Sequence, residues 1–202
     1  MSGIKCVFLT PSGKLQPSLR VYTTHGGECL EINNCGYHQA VQYLPLIIGT
    51  EDSVSSCKND LHEYKDKWPT KCKCEYLFDK QAERQYRTET LYFIDGGPVL
   101  TTLHKAPVGA MWYSPWLGQD APDECGTDGK ALVVKTLGGD WHIDGVCSNC
   151  TKPNNKEHRC WVRHGVPPNI TVDKNGNTCS AGAGSISIGK YHGFLRNGFL
   201  TE

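Results

Sequence analysis

The chain has 202 residues and a mass of 22.4 kDa, with 21 basic and 21 acidic side chains and a pI near 7.0. Zero formal net charge argues against a protein whose main task is coating nucleic acid, since that task needs a cationic face. Hydrophobic residues make up 38 % and the mean hydropathy is −0.45, which describes a soluble chain with a modest core. The longest apolar stretch, Leu44-Pro45-Leu46-Ile47-Ile48, falls far short of the ~20 residues of a membrane helix.

In chain order, Met1-Ser2-Gly3-Ile4-Lys5-Cys6 lacks a charged start followed by an apolar run, so no secretory leader is expected. Ile4 to Leu9, Pro11-Ser12-Gly13-Lys14 and Ser18 to Tyr22 read as strand, turn and strand. His38 to Leu46 has room for two helical turns, and Phe78 to Arg87 is rich in helix formers. The polar stretch from Lys80 to Glu89 is the expected seam. It separates an N-terminal Cys/His subdomain (1–85) from a C-terminal hairpin subdomain (86–202), unless the two form one continuous domain. Leu91 to Asp95 and Val99 to Leu103 read as a hairpin on Gly96-Gly97, and Ala131 to Thr136 and Trp141 to Asp144 as another on Gly138-Gly139. Ile170 to Val172 reads as a strand turning through Asn175-Gly176, and Tyr191 to Leu195 as a closing aromatic anchor. With 22 glycines and 11 prolines, the predicted fold is mainly β with little helix: small antiparallel sheets and hairpins, loop-rich, stapled by one or two metal sites.

Eleven cysteines and eight histidines carry the strongest signal. An odd count leaves one thiol outside any all-disulfide scheme, and the absence of a leader favours a reducing compartment. Spacing then favours metal over disulfides. Cys147-Ser148-Asn149-Cys150 is a C-x-x-C knuckle, whose turn lets two thiolates meet one tetrahedral Zn²⁺ at about 2.3 Å. Cys160, flanked by His158 and His164, and then Cys179 complete the ligand material for one closed site. A disulfide from Cys147 or Cys150 to Cys160 or Cys179 is the rival reading. In the N-terminal half, Cys35-Gly36-Tyr37-His38 is a C-x-x-H knuckle, with Cys29 before it and Cys72-Lys73-Cys74 after it. The preferred set is Cys29, His38, Cys72 and Cys74, with Cys35 as the substitute for any one of them. Cys6 lies in an apolar run and reads as a small core residue, while Cys57 and Cys125 lie in polar segments as lone thiols or a pair.

Three further segments bear on function. In a strand, Asp140, His142 and Asp144 would share one face opposite Trp141 and Ile143, as a metal or general-base site or simply as a polar outer face. Ala181-Gly182-Ala183-Gly184-Ser185 lacks the spacing of a phosphate loop and reads as close backbone packing. Met111, Trp112, Tyr113 and Trp116 stand between prolines with no clear strand or helix period. They read either as a loop plugging the core or, if exposed, as a partner-binding surface.

Gly109-Ala110-Met111-Trp112, Asp140 to Asp144, Ser148 to Thr151, His158 to Gly165, Val172-Asp173-Lys174 and Ala181 to Ile186 together resemble an uncharacterised family of tailed-phage and related bacterial proteins with Cys/His-rich zinc sites. The resemblance extends over most of the chain, including Trp68 to Cys74. It implies a viral origin and no activity, so it brings no catalytic residues. The resulting expectation is a non-enzymatic protein with one or two structural Zn²⁺, made in a host bacterial cytoplasm and acting through binding surfaces. A virion decoration or adaptor subunit is the leading role. Its partners would be other phage proteins or further copies of itself, rather than a membrane or nucleic acid. The alternatives are a metal-dependent hydrolase or nuclease built on Asp140, His142 and Asp144, and a cytoplasmic host-takeover or anti-defence binder.

Overall fold

The computed structural model describes residues 3–23, 25, 29, 37–49, 64, 66–114, 116–117, 124–155, 157–179, 181 and 185–202. It is nearly all β, with 48 % strand and 1 % helix, in several small antiparallel and mixed sheets, none closed into a barrel. The first strands are β1 (Ile4–Lys5), β2 (Val7–Thr23), β3 (His38–Tyr43), β4 (Ile47–Ile48), β5 (Glu83–Ile94), β6 (Leu100–Thr101) and β7 (Ala110–Tyr113). There follow β8 (Leu132–Thr136), β9 (Gly139–His142), β10 (Val162–Val166), β11 (Asn169–Asp173), β12 (Ile186–Ile188), β13 (Tyr191–Arg196) and β14 (Phe199–Thr201). No helix among the described residues is long and apolar enough to cross a membrane.

The chain forms two compact units: Pro11–Tyr92, and Met1–Thr10 together with Phe93–Glu202. The expected boundary at residue 85 lies inside β5. In the Pro11–Tyr92 unit, all six residues of β3 pair antiparallel with Ser18 to Thr23 of β2, and β4 pairs with Lys14 and Leu15. Leu15, Leu19 and Val21 are buried at alternate positions of β2, the period of two that a pleated strand imposes. Two sequence expectations fail here. Pro11 to Lys14 makes no reversal, because Gly13 (φ 69°) takes the irregular conformation and β2 runs on. The helical readings of His38–Leu46 and Phe78–Arg87 are overturned: His38–Tyr43 is β3, where ladder pairing to β2 outweighs weak helix propensity, and Phe78–Arg87 turns at Asp79, whose Oδ1 accepts from the Gln81 and Ala82 N–H groups, before entering β5 at Glu83.

In the other unit, four hairpins close through two-residue loops. Leu137-Gly138 joins β8 to β9, and the cis-linked Pro167-Pro168 joins β10 to β11. Gly189-Lys190 joins β12 to β13, and Asn197-Gly198 joins β13 to β14. Asn197 (φ 49°) and Gly198 (φ 74°) both adopt the left-handed region, the backbone that a type I′ hairpin requires. The Ile170 strand therefore pairs backward with Val162–Val166 rather than forward through Asn175-Gly176. β1 pairs with β14 to complete the sheet β1-β14-β13-β12, and Val7 and Phe8 of β2 pair in parallel with Ala110 and Met111 of β7. Here too a sequence expectation is corrected, since Ala110–Tyr113 is a buried strand and not an aperiodic loop.

Leu132, Val134, Met111, Ile143, Ile170, Leu195 and Leu200 form the centre of this unit's core, with Cys6, Cys160 and Cys179 among them. Substituting Leu132, fully buried on β8, by Ala should cost about 2–5 kcal/mol through lost transfer energy and the cavity left behind. Leu137→Ala, at a position 55 % exposed in the loop that ends the same strand, should stay within about 0.5 kcal/mol. Urea denaturation midpoints at unchanged m-value give the comparison.

Candidate metal centres

Among the described residues two groups of four donor atoms converge. Cys29, His38, Cys72 and Cys74 form one group, and Cys150, His158, Cys160 and Cys179 the other, with all donor atoms of each within 4.8 Å of one another. No disulfide forms among the nine described cysteines; Cys35 and Cys57 lie outside the described residues. The sulfur spacings fit coordination. Cys29 Sγ lies 3.6 Å from Cys72 Sγ, and Cys160 Sγ 3.6 Å from Cys179 Sγ. Sulfurs about 2.3 Å from a tetrahedral ion stand about 3.8 Å apart, against about 2 Å in a disulfide.

The first quartet is built by a tight turn and a strand end. Lys71 and Leu77 form a bridge, Cys72 N–H donates to the Tyr76 carbonyl at 2.9 Å, and Glu75 adopts φ 68°. This turn presents Cys72 and Cys74 two residues apart on one side. His38 opens β3, where its Nδ1 sits 3.2 Å from Cys74 Sγ and its ring stacks on Tyr76 at 4.0 Å. That stacking fixes the imidazole plane. Burial raises the Cys72 thiol pKa, but N–H donors from Cys74 and Gln39 and the thiols of Cys29 and Cys74 bring it down to about 7.

The second quartet gathers three loops of the larger unit. Cys150 ends a turn closed by its N–H on the Cys147 carbonyl at 3.0 Å, and Lys152 N–H donates to its sulfur at 3.3 Å. His158 Nε2 lies 3.1 Å from Cys150 Sγ and 3.6 Å from Cys160 Sγ. Its Nδ1 lies 3.0 Å from the Asn155 carbonyl, which orients the ring and leaves Nε2 to serve as the ligand. Cys160 precedes β10 and Cys179 follows β11. Lys174 Nζ ties the two arms by donating to the carbonyls of Cys160, at 2.6 Å, and Ala181. Burial acts on both thiols. At Cys179 it is outweighed by N–H donors from Ala181 and Thr151 and by neighbouring thiols, lowering the pKa to about 6. At Cys160 it prevails and is reinforced by Cys179 and Cys150, raising the pKa to about 12. Three thiols and one imidazole form a soft donor set suited to a thiophilic ion.

Other predicted residues lie outside the quartets. Cys147 keeps its thiol out of the second group and contributes its N–H to Cys160 Sγ at 3.3 Å, so the knuckle supplies one sulfur and one N–H. His164 faces Asp173, with Nε2 and Oδ1 3.0 Å apart. Cys6 is buried in the core, and burial raises its thiol to about 12. Asp140, His142 and Asp144 do not share a face, because β9 ends at His142. Asp140 and His142 line an open cleft, whereas Asp144 is buried, accepting from Leu132 N–H at 3.0 Å and from Arg163 Nε at 2.9 Å. Met111 and Trp112 are buried on β7, and Tyr113 packs edge-on against Phe8. Of the four proposed partner-binding residues only Trp116 is strongly exposed, at 61 %. Gly182, Ala183 and Gly184 lie outside the described residues. No family model, curated protein or solved structure matches the chain.

Two outcomes follow from the quartets. Cys179→Ser should lose one equivalent of bound metal and several kcal/mol of stability, because structural metal binding is folding free energy. Cys147→Ser should retain the metal; elemental analysis paired with thermal melts separates the two variants. The pH dependence has a definite sign. A thiol whose folded pKa lies below its unfolded value of 9.0 lends stability that is complete above 9 and lost as pH falls through the folded value, about 7 for Cys72 and about 6 for Cys179. Protons also compete with metal for the same sulfurs. Metal should therefore be retained on dialysis near pH 8 and released by about pH 5, as read by elemental analysis of the dialysed protein.

Proposed function

We propose that this protein is a non-enzymatic binding protein whose two units are each held by one structural Zn²⁺. The observation that carries this reading is that each quartet is a complete set of three Cys and one His. Four protein donors around tetrahedral zinc leave no position for water, so such a site holds structure, whereas catalytic zinc keeps three protein ligands and one exchangeable water. Asp140 and His142 belong to neither quartet, and Asp144 is engaged by Arg163, which weighs against the hydrolase alternative.

Binding by surface is supported in the Pro11–Tyr92 unit by exposed apolar side chains on one short stretch: Val41, Tyr43, Leu46 and Ile48, the last 91 % exposed. Several exposed apolar side chains within eight residues favour contact with another protein. A virion accessory, either a decoration or an adaptor subunit, is the role suggested by the resemblance of the sequence to tailed-phage proteins.

Elemental mass spectrometry on protein purified without chelator tests the metal assignment. Two zinc ions per chain, with the eight quartet residues protected from thiol or imidazole reagents until denaturation, is the expected result. Absence of zinc from protein that still melts cooperatively would overturn it.

A further inference from the structure

The open cleft beside the second quartet has a volume of about 600 Å³, within the range of small-molecule sites. Its walls come from β9, the loop 145–149, Trp161 and β12. These are well-anchored parts of the larger unit. β9 is laddered to β8, β12 to β13, and Trp161 directly follows the quartet residue Cys160.

Two features of the lining are specific. Trp141 and Trp161 meet at 87° with ring centroids 5.8 Å apart, making an aromatic corner. Among the described residues that line the cleft, the acidic ones are Glu124 and Asp140, His142 adds an imidazole, and none is Lys or Arg. Neither carboxylate makes an ion pair with a described residue. Glu124 is drawn close to the backbone of the loop, its Oε2 only 2.6 Å from where a Cβ on Gly145 would stand. The aromatic corner already holds one ammonium, since Lys174 Nζ lies 4.3 Å over the Trp161 ring, held there by carbonyls. Trp141 is the half-buried ring of the pair.

We propose that this cleft binds an organic ammonium ion, with the indole of Trp141 as its aromatic platform and Glu124 and Asp140 as its counter-charges. A ring quadrupole attracts a cation within about 6 Å of the centroid, and attracts a neutral group of the same shape far less. Two acidic residues lining one cavity, with no ion pair to a described residue, add to that preference and oppose anions. The ammonium could be that of a free amine or of a lysine side chain on a protein partner; the chemistry recognised is the same. The site does not use the Zn²⁺ assignment, so its failure and that of the metal reading can be told apart.

The test is an NMR titration of the protein as purified, following the indole N–H signals of its five tryptophans. The probes are choline and a short trimethyllysine peptide. The control is 3,3-dimethylbutan-1-ol, the neutral carbon isostere of choline. Saturable shifts of Trp141 and Trp161, with Trp68, Trp112 and Trp116 unmoved, are expected for the cations and not for the isostere. Saturation by choline alone assigns a free amine, and tighter binding of the peptide assigns a side chain. Asp140→Asn, at an exposed position where folding is not at risk, should weaken cation binding about tenfold when combined with Glu124→Gln. Equal binding of the isostere, or no saturable shift with either cation, would overturn the proposal.

Discussion

Four donor atoms, from Cys150, His158, Cys160 and Cys179, meet at the rim of a hydrophobic core, and the larger unit is organised around that meeting. Cys160 and Cys179 are members of the same buried cluster as Leu132, Ile170 and Leu195. They also bracket the β10–β11 hairpin, so closing the quartet fixes where the hairpin begins and where the chain leaves it. Donor convergence and apolar packing therefore act on the same residues. The hairpins here have strands of three to six residues, and short two-stranded pieces are marginal without packing or a staple.

The Pro11–Tyr92 unit has a quartet of the same donor types. Leu15, Leu19 and Val21 line one face of β2, and the quartet brings Cys29 and His38, distant in sequence, to the 71–77 turn. In both quartets a neighbouring group orients the imidazole: a Tyr76 ring stacked on His38, and the Asn155 carbonyl at His158 Nδ1. Such outer partners set ring orientation and ligand basicity. Charge chemistry elsewhere serves structure, as at Arg163, which bridges the buried Asp144 and the more exposed Asp128.

Much of this was legible in residue spacing, and the remainder was not, for identifiable reasons. A C-x-C turn and a C-x-x-H knuckle pointed to Cys29, His38, Cys72 and Cys74, which the structure brings together; spacing supplied the donors within each segment, and the fold supplies the approach of Cys29 and His38 to Cys72 and Cys74 across more than 30 residues. The C-terminal cluster offered six candidates for four places. Whether Cys147 or Cys150 turns its sulfur inward depends on the turn's hydrogen bonds, and His164 is drawn off by Asp173 across the β10–β11 ladder; neither is written in spacing. The helical reading of His38–Leu46 failed because six-residue pairing with β2 decides strand over propensity, and that of Phe78–Arg87 because the Asp79 side chain closes a turn before β5 begins at Glu83. Asn197-Gly198 between two apolar-rich runs is a hairpin signal in the sequence, and β13 and β14 pair across it.

The central claim is that each unit closes around one tetrahedral ion held by three thiolates and one imidazole. Cobalt(II) substitution with visible absorption spectroscopy tests it most directly, since ligand number and type are read from the spectrum itself. Two equivalents should bind, each giving the intense d–d bands of tetrahedral cobalt and a thiolate-to-cobalt charge-transfer band scaled to three sulfurs, with Cys179→Ser reducing the total to one full site. Weak octahedral bands, or saturation without any charge-transfer band, would contradict the account.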